Sequence, residues 1–378
     1  MSNNLLEAPE VSSPVLPAPA ELSRRYVFTL VAVCYAIYLA LFNYFIPYPV
    51  IVAGYGDNPG YIQISAAIRH WDFSGLHPKL FWGLPYLTAM LSKITTLSDL
   101  HSLLVVSWVS SFIAIFLAYK LWGGWVASLF AVTSREWIER SLLGGAEPIF
   151  MACVLGSFLA ARKRRWKTAA LLASFATVVR PMGLFALIGV GTALLLKRDF
   201  RRLTAAVAIG MTIGGLYVWP LLRYLGNPFA NVQGYDQADW NGGIPLGVPL
   251  VAIVQDALAG RATKLNLCRT VAWVAAVAVA VILALSRKAL RAQLVKVPVE
   301  AIFFALYAVL LFTYNSYWAR SQFPRFAIPV LPFVILAFLP WIPKNRALLW
   351  TWGIFSAVLT ALETVRFSIT INAIRRML

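Results

Sequence analysis

Residues 23–60 read SRRYVFTLVAVCYAIYLALFNYFIPYPVIVAGYGDNPG, and this stretch decides the fold class. Arg24 and Arg25 precede an apolar run over 26–46. About 20 apolar residues cross the hydrocarbon core of a bilayer as a helix, so this run is expected to span. Residues 1–22, rich in Pro, Ser, Ala and Glu, are expected to form a disordered cytoplasmic tail. With its basic pair leading into a run of spanning length, the segment does not read as a cleaved signal peptide. Residues 23–378 then form a single transmembrane domain.

Composition agrees. Of 378 residues 60% are apolar and 13% are charged, and the mean hydropathy is +0.73. A soluble domain carries about a quarter of its residues as Asp, Glu, Lys and Arg. A water-soluble globule is excluded, as are collagen-like, disulfide-stapled and disordered chains. The net charge of +18, from 33 basic and 15 acidic residues, would suggest nucleic acid in a soluble protein. Here the basic residues cluster in short loops between apolar runs, so no nucleic-acid partner is expected. Cys34, Cys153 and Cys268 have no spacing that forms a disulfide framework or a zinc site.

The expected fold is an all-α polytopic bundle of about eleven helices, with a long first outer loop carrying amphipathic interfacial helices. The runs are 26–46, 102–121, 122–134, 147–161, 168–180, 182–197, 203–224, 267–286, 299–318, 326–342 and 347–369. Three of them, from 122, 147 and 168, are short, as in segments that dip in beside a cavity. The basic loops at 24–25, 161–167, 197–202, 286–296 and 343–346 share one side, assigned to the cytoplasm. Residues 47–101, about 133–147, 225–266 and 319–325 then face outward. Arg375 and Arg376 break this pattern unless the end of the chain lies along the interface. Asp57, Asp72, Asp99, Glu136, Glu139, Glu147, Asp236, Asp239 and Asp256 all fall outside, with His70, His77 and His101. Acid–base chemistry is therefore expected on the outer face of a plasma (inner) membrane.

In the first outer loop, Gly54, Gly56, Pro59 and Gly60 bracket Asp57 with turn residues. Tyr61, Ile64, Ala67 and Ile68 repeat at helical spacing, an amphipathic surface helix. Residues 77–94, interrupted by Pro85, are expected to lie in the interface. Asp57 either caps the helix over 60–70 or, held after the first span, accepts the proton of an attacking hydroxyl. Asp72 divides between a turn cap at WDFSG and a second polar ligand.

Taken together, GYGDNPGYIQISAAI, the stretch from GGAEPIF to VVRPMGLF, and SQFPRFAIPVLPF resemble the C-type (GT-C) superfamily of membrane glycosyltransferases. The likeness covers most of 24–345, and each motif is short. The acidic pair of some branches is absent, since Asn58 follows Asp57. The resemblance implies transfer of one sugar from a polyprenyl-phosphate donor to a lipid, glycan or protein acceptor at the outer face. It implies Asp57 as general base, with Glu147 and Asp72 assisting.

Charge on the departing phosphate needs cations or a metal. Arg180, Arg320 and Arg325 map to outer helix ends, where a guanidinium binds two phosphate oxygens at once. The alternatives are snorkelling for Arg320 and Arg325, a pairing with Glu147 for Arg180, and helix capping for Glu147. A divalent cation (Mg or Mn) held by carboxylates and phosphate fits the same chemistry. His70 and His77 flank Asp72 without metal-ligand spacing. The polar, aromatic segment 226–247 suits a sugar or an ordinary loop. Rival readings are an O-antigen polymerase or ligase, whose long outer loop comes late in the chain, and a lipid or solute transporter, which calls for internal repeats.

Overall fold

The computed structural model describes residues 21–73, 80–231, 246–258, 264–314 and 322–377. It is 84% helix, with no strand among the described residues. The tail 1–20, His77, Asp236, Asp239, Arg320 and residues 232–245 of the polar outer segment lie outside the described residues.

Ser23 starts the chain of helices, its hydroxyl accepting the Tyr26 N–H at 3.3 Å as an N-cap. In order follow α1 (Arg24–Phe45), α2 (Tyr48–Gly54), α3 (Asn58–His70), α4 (Gly83–Thr95), α5 (Asp99–Trp122) and α6 (Gly124–Thr133). Next come α7 (Arg135–Leu143), α8 (Glu147–Arg162), α9 (Trp166–Val179), α10 (Leu184–Leu196), α11 (Phe200–Leu225) and α12 (Val251–Leu258). The last are α13 (Lys264–Ser286), α14 (Lys288–Lys296), α15 (Pro298–Thr313), α16 (Phe323–Phe326), α17 (Leu331–Phe338) and α18 (Arg346–Met377).

Among these, α1, α5, α11, α13 and α18 are long and apolar enough to cross a membrane. The total rises to seven if two bent pairs, α7–α8 (107°) and α14–α15 (113°), each count as one span. Four more apolar helices among the described residues, Gly124–Thr133, Trp166–Val179, Pro181–Leu196 and Ile328–Phe338, fall short of that length, so five to seven of the expected eleven or so helices are long enough to cross. Apolar run length does not separate a lipid-crossing helix from one buried among other helices. The 10-residue α6 covers about 15 Å, half the hydrocarbon thickness. Helix α8 is apolar because it is enclosed: it packs on α5 and α9 and buries Phe150, Met151, Val154, Leu155 and Phe158. Around it α1 pairs with α18, α10 with α15, and α11 with α9.

Three further expectations are refined. Residues 133–147, expected among the outward-facing connections, contain α7 and bury Glu139 and Arg140. Pro85 does not break the helix here, because it falls in the first turn of α4 (Gly83–Thr95), where a missing N–H costs no helical bond. The final run does not stop at 369. Helix α18 has 32 residues and a length of about 48 Å, well beyond the hydrocarbon core. Positions 375 and 376 thus belong to a helix longer than one crossing needs.

The segment after α1 is also fixed to the bundle at the far end of α3. Ser65 donates to Asp99 Oδ1 at 2.8 Å, and Arg69 pairs with Asp99 Oδ2 at 3.0 Å. This holds α3 against α5.

Candidate functional site

The charged centre of the molecule is built where helices break. Tyr55, Gly56 and Asp57 form the joint between α2 and α3, and Gly56 turns the chain with φ +55°. Asp57 occupies the N-cap position of α3, yet its side chain makes no cap hydrogen bond. The carboxylate is on Arg325 instead. Asn58 seals the joint, its Nδ2 donating to the Val52 carbonyl (2.8 Å) and the Leu143 carbonyl (2.6 Å).

Glu147 opens α8 after the Gly144–Gly145 bend, with Pro148 in the first turn. Arg180 ends α9 in an extended conformation (φ −150°, ψ 137°), as expected for a residue before proline, here Pro181. Arg325 lies in the four-residue α16. Pro324, Pro329 and Pro332 keep the chain there from forming one long helix.

Four separated segments thereby bring their charged residues into contact. Arg325 Nη2 donates to Asp57 Oδ2 at 2.7 Å, and its Nε donates to Glu147 Oε1. Arg180 Nη2 donates to the same Glu147 oxygen at 2.5 Å. Gln322 Oε1 accepts from Arg325 Nη1 at 3.1 Å. Glu147, Arg180 and Arg325 are all buried, while the Asp57 side chain keeps 33% of its exposure and gives the cluster its access to solvent. A narrow cleft close to the arginines is lined by aliphatic and aromatic side chains, among them Met182, Leu311, Tyr307, Tyr314, Phe323 and Phe326. Arg180 lies 5.7 Å from the centre of the Phe326 ring.

Arg140 joins this group and was not singled out in the sequence. Buried in α7, it stacks over the Tyr55 ring at 5.2 Å. A Cβ on Gly56 would stand 2.8 Å from its Nη1, and one on Gly145 would stand 2.8 Å from both its Cδ and Glu147 Oε2. Among the buried polar atoms here that have no hydrogen-bond partner are Arg140 Nη1, Glu147 Oε2 and Asn58 Oδ1. With two carboxylates and three guanidiniums the cluster carries one formal positive charge. Burial pushes the Asp57 carboxyl upward, but Arg325 and Arg140 outweigh it and hold its pKa below the ordinary carboxylate value.

A second network anchors this site. Tyr55 Oη donates to Glu139 Oε2 at 3.0 Å, and Arg135 Nε donates to Glu139 Oε1 at 2.8 Å. Thr364 of α18 donates to the same oxygen at 2.5 Å. Glu363 takes Arg269 at 2.6 Å and also pairs with Arg135. Glu363 is thus paired with two arginines that tie α7 and α13 to α18.

Of the residues singled out in the sequence, the structure brings Asp57, Glu147, Arg180 and Arg325 together. Asp72 stands apart, beyond the far end of the 13-residue α3, a helix about 20 Å long. Its N–H caps that helix by donating to the Ala67 carbonyl at 3.0 Å. Arg320 lies outside the described residues. No group of three His, Cys, Asp or Glu side chains that could hold a metal occurs among the described residues. Asp57 and Glu147 are the carboxylates closest to the arginine cluster that a cation could use.

No family model, curated protein or solved structure matches the chain. The functional reading therefore rests on the residues themselves.

Proposed function

We propose that the protein is a membrane glycosyltransferase that moves a single sugar from a polyprenyl-phosphate-linked donor to an acceptor at the outer face of the plasma membrane. One observation carries this reading: Asp57, Glu147, Arg180 and Arg325 meet from four separated segments, with a free guanidinium nitrogen on Arg140 beside them.

The roles follow from the charges. Arg325 is shared between Asp57 and Glu147, so an anionic donor phosphate competes for it. Capture of the phosphate by Arg325, Arg180 and Arg140 releases Asp57 as an unprotonated carboxylate beside the sugar. The acceptor hydroxyl gives its proton to Asp57 as its oxygen bonds to the anomeric carbon. The bond from that carbon to the phosphate oxygen breaks, and its electron pair leaves on the lipid phosphate under the guanidiniums. Glu147 holds Arg180 and Arg325 in place and supplies Oε2 for an acceptor or cation contact. Displacement from the face opposite the leaving group inverts the anomeric centre.

The test is sugar transfer by the purified protein in proteoliposomes, with pooled radiolabelled polyprenyl-phosphate sugars and membrane extract as acceptor. Label appearing in an acceptor, in proportion to folded protein, is expected. Folded protein that transfers no label from any donor in the pool contradicts the reading.

A further inference from the structure

A second built pocket lies on the basic face, away from the Asp57 cluster. It forms where the turn from α8 to α9, the end of α10 and the elbow between α14 and α15 meet, and has a volume of about 220 Å³. Its charged lining is Arg162, Arg164, Lys197, Lys296 and Glu300, with Trp166 beside them. Glu300 is buried and fully used: Arg162 Nε donates to Oε1 at 2.6 Å and Nη2 donates to Oε2 at 2.8 Å. The third arm of Arg162 donates to the Leu121 carbonyl at 2.8 Å. The pair is closed and serves the fold.

The other three cations have no such partner. Among the described residues neither Arg164, Lys197 nor Lys296 meets a carboxylate, and Lys197 only lies over the Trp166 ring at 4.7 Å. Four cations and one carboxylate leave the pocket at a formal charge of +3. Next to it the surface is apolar and open. Leu195 and Leu196 precede Lys197, and Val295 precedes Lys296, with exposures of 53%, 71% and 74%. A ligand that satisfies both halves has an anionic head in the cavity and hydrocarbon along these side chains. Free phosphate satisfies only the first.

We propose that this pocket binds the phosphodiester headgroup of an anionic phospholipid of the phosphatidylglycerol class, from the leaflet on the basic side of the protein. The positive-inside pattern makes that the cytoplasmic leaflet. Basic pockets on that side suit such headgroups because several cations act on one phosphate beside an apolar surface. Binding would clamp α10 and α14 to the α8–α9 turn. The inference is independent of the glycosyltransferase reading, because no residue of the pocket belongs to the Asp57 cluster.

The test is thermal unfolding of the purified chain in neutral detergent, titrated separately with phosphatidylglycerol, phosphatidylcholine and inorganic phosphate. Phosphatidylglycerol is expected to raise the melting temperature saturably, and the other two are not. The double variant K197Q/K296Q is expected to weaken the apparent phosphatidylglycerol affinity at least tenfold. The control K167Q/R201Q, with the same loss of charge on the same face but outside the pocket, is expected to keep it. Equal stabilisation by phosphatidylcholine, or equal weakening in both double variants, overturns the site. Inorganic phosphate that reproduces the shift overturns the lipid assignment.

Discussion

Glu147 and Glu300 are both buried glutamates that meet arginine, and they are built to opposite ends. Glu300 receives one guanidinium squarely, with both oxygens used and the spare arm of Arg162 on a backbone carbonyl. Glu147 receives two guanidiniums on a single oxygen, and its Oε2 has no hydrogen-bond partner. A finished pair holds helices together. The unfinished one retains donor and acceptor capacity, next to an aspartate that reaches solvent. Burial and ion pairing alone do not distinguish a structural charge from a working one; the unspent hydrogen-bonding capacity does.

The sharpest way to break this comparison is to remove each carboxylate. Glu147→Ala leaves the buried Arg180 without its carboxylate and is expected to cost about 3–5 kcal/mol in stability, read by denaturant unfolding in detergent. Glu300→Ala frees Arg162, whose side chain is 33% exposed, and is expected to cost less. They should part in activity. Transfer per folded molecule should vanish with Glu147→Ala and persist with Glu300→Ala. Equal losses in both would remove the distinction.

A smaller effect is expected from Gly145→Ala, whose new methyl would press on Arg140 and Glu147 at 2.8 Å. Overpacking of this kind costs about 1–3 kcal/mol. The shift in melting should be accompanied by weaker donor binding, measured as a raised KM. Unchanged KM and melting would mean that the two side chains move aside freely.

The smallest effect concerns pH. Because the folded pKa of Asp57 is lowered, its ion pair contributes stability that is fully present above the ordinary value of about 3.9 and is lost as pH falls through the folded value. Transfer should therefore stay level on the acid side down to at least about pH 4. Arg140→Gln removes one of the charges holding the carboxyl down, so its acid limb should move to higher pH. An acid limb that stays in place in that variant would contradict the role given to Arg140.

The four joined residues were legible because each stands beside a helix breaker: GDNP for Asp57, GGAEP for Glu147, VRPMG for Arg180 and FPRF for Arg325. Proline and glycine announce where backbone leaves the helix, and a charge placed there in an apolar chain has a cavity to face. Arg140 carried no such mark. It sits inside REWIERSLL, where alternating charges read as a solvated face, and only the 107° bend of α7 against α8 turns that face inward. The number of spans was illegible for a related reason. The apolar runs behind α6 and α8 record burial, and burial among helices and contact with lipid select the same side chains. Asp72 was weighed beside Asp57 because they share a loop in sequence, and the length of α3 separates them.

The most direct test of the central claim is single-turnover sugar transfer by Asp57→Asn beside the wild type, in the same proteoliposomes and at matched melting temperature. The amide keeps an oxygen for Arg325 but has no basic lone pair for the acceptor proton. The expected result is a rate lower by about 10²–10⁴-fold with donor binding retained. Transfer at the wild-type rate would show that the proton leaves by another group and that the Asp57–Arg325 pair is as structural as Arg162 on Glu300.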